Sequence, residues 1–167
     1  VIYNATYIGN GNGRVITFRD NAGGTYANSI FASQAKGIDV GFRDDKHNSL
    51  DQMLTEGNLI LKNNLFNLIA DDTEANALKV SEEKGTAPAS TADDLLAHFN
   101  DNNNAIANLA TVGFIDDEYL LIPASGEANT GVAPTDSWFD NVTYQGAFQP
   151  GGSNWAEGWT LTFSSSK

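Results

Sequence analysis

The chain nearly repeats itself. NATYIGNGNGRVITFRD (residues 4–20) is followed by NSIFASQAKGIDVGFRD (residues 28–44). Asn28 follows Asn4 by 24 residues and Phe31 follows Tyr7 by the same 24. That offset also joins Gly13 to Gly37, Ile16 to Val40, Phe18 to Phe42, Arg19 to Arg43 and Asp20 to Asp44. A gapless period of this size indicates stacked structural repeats, each burying its apolar face against its neighbours. RVITFRD and GIDVGFRD alternate as half-buried strands do, and ATYI and SIFA read as a second short strand. Two or three short strands per period, divided by glycine-rich loops, fit one coil of a parallel β-helix. A leucine-rich repeat has a similar period but needs a leucine spacing that is missing here.

A partial third copy lies in NLILKNNLFNLIAD (58–71), where Asn63 and Phe66 follow Asn28 and Phe31 by 35 residues. HNSLDQMLTEG (47–57) is then an insertion, and insertions in solenoids form loops between strands. Asn4, Asn28 and Asn63 are expected to stack at one corner, with their amides in a hydrogen-bonded ladder. Tyr7, Phe31 and Phe66 should stack just beyond them. Arg19/Asp20 and Arg43/Asp44 should point outward and pair along or across coils, each exposed pair contributing little.

Only 18% of residues are charged, and the formal net charge is −12. A polyanion repels phosphate backbones and anionic membrane surfaces, which argues against nucleic-acid binding, but it permits calcium. Cysteine is absent, which excludes thiol catalysis, disulfides and Cys-based zinc sites. His47 and His98 are too far apart in sequence to suggest a multi-His site. No apolar run approaches the roughly 18 residues of a membrane span. The chain opens on Val1 with no signal peptide in view, so a processed or excised piece of something longer is expected.

From Asp71 the pattern changes. Residues 71–90 are polar and read as a loop or edge excursion. STADDLLAHFNDN (90–102) reads as a helix capped by Ser90 or Thr91, with Asp93 and Asp94 at its positive end and Leu95, Leu96 and Phe99 on one face. Ile106 and Leu109 extend that face, placing one covering helix near 91–109. In the tail, WFDNVTYQGAF (138–148) and WTLTF (159–163) both alternate, and Gly151–Gly152 marks a turn. One domain results: coils over 1–70, the excursion and capping helix over 71–110, and a C-terminal capping and strand segment over 111–167.

The tail phrase F-x-x-V-x-Y-x-G-A-F … W-x-x-G-W-T is carried by Phe139, Val142, Tyr144, Gly146, Ala147, Phe148, Trp155, Gly158, Trp159 and Thr160. It resembles the closing segment of large secreted bacterial surface proteins of the right-handed parallel β-helix type. RDNAGGTYANSIF (19–31), LILKNNLF (59–66) and IPASGEANTGVAP (122–134) are similar to that family's final coils and their approach to the tail. The resemblance implies a mainly β fold made of final coils, the covering helix and a short C-terminal β segment. It also implies an extracellular or cell-surface location, largely without assigned activity.

Several clusters are weighed for chemistry. Asp39, Asp44 and Asp45, with Arg43 and Lys46 close by, are the carboxylates that a glycan lyase or hydrolase would need, yet no lyase signature appears. Asp71, Asp72 and Glu74, and Asp116, Asp117 and Glu118, gather oxygens at short range and are the calcium candidates, although neither run matches a known calcium loop. Otherwise no cofactor is expected. Trp138, Trp155 and Trp159 could stack on sugars, though core or end-cap packing is the favoured reading. NAT at Asn4 and NVT at Asn141 match the glycosylation pattern.

The sequence thus points to a non-enzymatic extracellular structural or interaction protein. It would form a cell-surface, adhesive or filament-forming β-helix subunit that assembles through exposed strand edges. Leu161 and Phe163 in the alternating tail would donate a strand. The partners would be other copies of the chain or the rest of a longer parent. The alternatives are a carbohydrate-binding module, with polysaccharide as partner, or a fragment of a β-helix lyase or hydrolase.

Overall fold

The computed structural model describes residues 1–107, the backbone of 114–117 and 120–123, and residues 128, 130–153, 155 and 156. The chain is mainly β, built on three small parallel sheets. A first pass lays down β1 (Ile2–Tyr3), β2 (Thr6–Ile8) and β3 (Thr17–Phe18), one strand in each sheet. A second adds β4 (Gly24–Ala27), β5 (Ile30–Gln34) and β6 (Ile38–Arg43) beside them. A third adds β7 (Leu59–Lys62), β8 (Leu65–Leu68) and β9 (Leu78–Lys84). The sheets run β1-β4-β7, β2-β5-β8-β10 and β3-β6-β9, with β10 at Ala105–Ile106.

Asparagine makes the first corner. Asn4, Asn28, Asn63 and Asn103 all adopt left-handed backbone, with φ of 54°, 50°, 52° and 54°. Asparagine tolerates that region better than other side-chain-bearing residues. Each sits, with one further residue, immediately before a strand of the second sheet. The registers keep this alignment: Tyr7 pairs with Phe31, Phe31 with Phe66, and Phe66 with Ile106. Inside the corner the rings stack as the repeat predicts. Tyr7–Phe31, Phe31–Phe66 and Phe66–Phe99 centroids lie 5.0, 4.9 and 5.5 Å apart. Phe31 and Phe66 are fully buried, each contributing about 1.5–3 kcal/mol of apolar burial.

The amide ladder is displaced by one residue from its expected place. The left-handed asparagines turn their side chains outward, and the residues after them face inward. Ala5 N–H donates to Ser29 Oγ (3.2 Å), Ser29 N–H to Asn64 Oδ1 (2.9 Å), and Asn64 N–H to Asn104 Oδ1 (3.1 Å). The left-handed turn is what exchanges the two positions.

The third sheet also departs from the sequence alignment. Phe18 pairs with Val40, not Phe42, and Arg14 bridges to Lys36. The loop GNGNG (9–13) holds two more residues than its counterpart: Ile8 faces Ala32, but Gly11 N–H already reaches Ser33 O. Gly11 can make this excursion because its φ is +82°. The second FRD therefore does not stack on the first.

The insertion at 47–57 is a helix, α1 (Ser49–Leu54), capped by Asn48, whose side chain accepts from Asp51 N–H at 3.1 Å. Residues 71–90 are not merely a loop. They form α2 (Glu74–Ala77) and β9, whose Leu78 and Val80 pair with Ile38 and Val40 while its charges disguise the alternation. Helix α3 spans Thr91–Asp101 and stops there, short of the expected 109. Asn103 turns the chain left-handed, and Ile106 belongs to β10. Leu109 lies outside the described residues. Ser90 occupies the cap position of α3 without a side-chain hydrogen bond. Beyond α3, β11 (Phe114–Asp117) and β12 (Leu120–Pro123) pair antiparallel. Residues 138–148 alternate in sequence but form no strand.

Candidate functional site

The two ends of the stack differ. At one end, α3 follows β9 and presents Phe99 over Phe66, while Asn63 N–H donates to Asn102 O at 2.8 Å. Leu95 and Phe99 are both buried there. At the other end, β1, β2 and β3 are each the outermost strand of their sheets. Val1 is 74% exposed and Ile8 46%, and Tyr7 ends the ring stack half-buried. A strand at a sheet edge carries one row of backbone groups without a ladder partner, and so can pair with another chain.

Along the third sheet, ion pairs cross the passes. Arg19 Nε lies 2.8 Å from Glu83, and Arg43 Nε lies 3.1 Å from Asp45, which also accepts from Lys84 Nζ at 2.7 Å. Lys46 reaches Asp20 at 2.9 Å, and Arg14 pairs with Asp39. The expected outward ion pairing is present for Arg19, Asp20 and Arg43, but Asp45 and not Asp44 takes part in it. Hydrogen bonds from Arg43 and Lys84 hold the Asp45 carboxyl well below its ordinary range, and Lys46 lowers Asp20. An acid stabilised as its anion in this way is a poor proton donor near neutrality. Asp39 and Asp45 are each committed to cations rather than to one another.

The segment 128–148 straps the asparagine corner. Asn28 Nδ2 donates to Val132 O (2.7 Å) and its Oδ1 accepts from Val132 N–H (3.1 Å). Asn4 Nδ2 donates to Tyr144 O (2.6 Å), Gln145 Nε2 to Asn63 O (2.6 Å), and Ala147 N–H to Thr6 Oγ1 (2.9 Å). Gly146 fits because a Cβ there would stand 2.7 Å from Ile30 Cδ1. Nothing in the repeat signals that the outward Asn4 and Asn28 hold this segment. Tyr144, Gly146 and Ala147 of the tail phrase dock here, and Phe139 packs on Tyr3 at 4.9 Å between ring centroids. Asn4 is thereby engaged, whereas Asn141 of the second glycosylation pattern is exposed.

Trp138 is 86% exposed, which corrects the expectation of core packing for it. Trp155 stacks on Phe148 at 5.4 Å and donates its indole N–H to Ala147 O. It remains mostly exposed. Trp159, Leu161 and Phe163 lie outside the described residues, as does Glu118, and Asp116 and Asp117 fall on β11. In the other acidic run, Asp72 Oδ1 accepts from Leu68 N–H at 2.8 Å, Asp71 accepts from Asn76, and Glu74 accepts from Asn100 at 3.5 Å. These carboxylates fasten local turns. Among the described residues no three His, Cys, Asp or Glu side chains converge as a metal site, and no helix is long and apolar enough to cross a membrane.

No family model, no curated protein and no solved structure matches the chain.

Proposed function

We propose that the chain is a non-enzymatic extracellular structural module: the closed end of a right-handed parallel β-helix whose open end accepts further strands. The three passes are its coils. The observation that carries this reading is the asymmetry of the ends: Phe99 covers the last buried ring at one limit of the stack, while at the other Tyr7 ends the ring stack half-buried beside exposed Val1 and Ile8. The partner at that edge is either further coils of a longer parent chain or the same edge of a second copy. Because α3 covers the far end, two copies meeting at their open ends form a closed pair rather than an endless filament.

Light scattering after size exclusion tests this on the 167-residue chain. Wild type should shift from monomer to dimer as concentration rises. Ile2→Asp/Ile8→Asp, which places charge on the exposed edge, should remain monomeric with unchanged circular dichroism. A wild type that is monomeric at every concentration would refute edge assembly, and a polymer would refute closure by α3.

A second reading, carbohydrate binding, is favoured by Trp138, whose ring is exposed and has no ring contact among the described residues. Tryptophan fluorescence unmoved by polysaccharides would count against it.

A further inference from the structure

A cavity of about 370 Å³ opens where the second and third sheets meet, bordered by Arg14, Lys36, Gly37, Ala70, Asn76 and Lys79. Its three cations come from three successive passes. Arg14 and Lys36 are paired in register, so they are neighbours across one strand spacing of about 4.8 Å. Like charges placed directly opposite each other are destabilising.

The arrangement is unusual for this protein. There are 21 acidic residues against nine lysines and arginines, so carboxylates are in ample supply. Elsewhere they are used: Arg19, Arg43, Lys46 and Lys84 each contact a carboxylate, and Lys62 lies over the Tyr3 ring. Of the lysine and arginine side chains among the described residues, only Lys36 and Lys79 have neither an acidic nor a ring partner, and both border this cavity. Asp39 is the register neighbour of Lys79, but its carboxylate is turned to Arg14. Asp71 is bonded to Asn76 instead. Both lysines are exposed at the surface, so a ligand can reach them.

We propose that this cavity binds an oxyanion, a carboxylate or sulfate group, held by Lys36 and Lys79 with Arg14 at its side. Its volume lies within the range of small-ligand sites. The anion offsets the charge of Lys36 and Lys79, Arg14 being paired already with Asp39, and its binding weakens as salt rises. The oxyanion has two sources, a free inorganic ion or the acidic sugar of a glycan. Lys36 and Lys79 lie in the second and third passes, so anion binding does not depend on assembly at the first.

Titration calorimetry at low salt tests the site with sodium sulfate, a short galacturonate oligomer and an uncharged galactose oligomer. Binding of at least one anion is expected, with none of the uncharged sugar. Lys36→Gln and Lys79→Gln should each weaken it about tenfold, the loss of one charge-assisted contact. The double substitution should abolish it, while Lys46→Gln, away from the cavity, leaves it intact. Galacturonate binding tighter than sulfate identifies an acidic glycan, and sulfate binding alone identifies a free ion. Absence of anion binding, or binding that survives the double substitution, overturns the proposal.

Discussion

Replacing Asn64 with leucine removes three side-chain hydrogen bonds from the middle of the buried ladder while keeping the same branched side-chain skeleton. Asn64 is fully buried. Its Oδ1 accepts from Ser29 N–H at 2.9 Å, and its Nδ2 donates to Tyr26 O and to Asn104 Oδ1, both at 3.0 Å. Ser29 is itself only 1% exposed, so water cannot replace the lost acceptor. An orphaned buried amide costs about 1–3 kcal/mol, and each of the other two bonds contributes about 1 kcal/mol. Added apolar burial by leucine returns about 1 kcal/mol, leaving a net loss of about 3 kcal/mol. For a chain of this size that lowers the melting temperature by about 6–12 °C. Urea unfolding followed by circular dichroism should show a lower midpoint with an unchanged slope. Ser29→Ala is the internal comparison. It orphans Ala5 N–H, which is only half-buried, and removes the bond from Ser29 Oγ to Ala27 O, a carbonyl that still accepts from Asn4 N–H, so it should cost about 1–2 kcal/mol. An Asn64→Leu protein within about 1 kcal/mol of wild type, or a Ser29→Ala loss as large, would show that the ladder does not hold the passes together.

Gly146→Ala should loosen the strap. The residue has φ of +83°, and a Cβ would meet Thr6 Oγ1 at 2.8 Å as well as Ile30. A cost of about 1–3 kcal/mol is expected, read as faster limited proteolysis between residues 130 and 150 with little change in the main unfolding transition. The pH dependence has two parts. Burial lowers the pKa of His98 from its ordinary 6.5 despite the opposing pull of Asp101. The unfolded chain therefore binds the proton first, so stability falls as pH drops below 6.5, and His98→Gln should flatten that slope. Asp20 and Asp45 are lowered from 3.8, so the stability they confer is present above that pH and is lost as acidification continues toward their folded values. Chemical-shift titration of the two carboxyls checks the direction, and ordinary values at both would contradict the ion-pair geometry.

The asparagine corner and the ring stack were legible because both impose a residue type at a fixed interval. Left-handed backbone selects Asn4, Asn28 and Asn63, and the buried stack selects Tyr7, Phe31 and Phe66. The ladder was misplaced by one position because Ala5, Ser29, Asn64 and Asn104 are chemically unlike one another. Three of them accept a hydrogen bond from the preceding pass, whereas Ala5 has no acceptor on its side chain. The FRD alignment misled for the opposite reason: two identical phrases were assumed to touch, while two extra loop residues at 9–13 moved them apart. Strand β9 was hidden by Glu82, Glu83 and Lys84: Glu83 and Lys84 serve contacts across the passes, and Glu82 accepts from Ala87 N–H in the following turn. The unpaired Lys36 and Lys79 could not be recognised before the partners of the other cations were known.

A stack whose passes touch only their neighbours should unravel under load from its open end, one layer at a time. The strap changes that mechanical behaviour. Asn4, in the first layer, is bound to Tyr144, 140 residues later, and Asn28 in the second is bound to Val132. Tension applied at Val1 is thus shared with the tail before any layer peels, and the first two layers give way together with it. The seam of outward asparagines acts as a stitch across the layers, joining the exposed first layers to a segment more than 100 residues further along the chain.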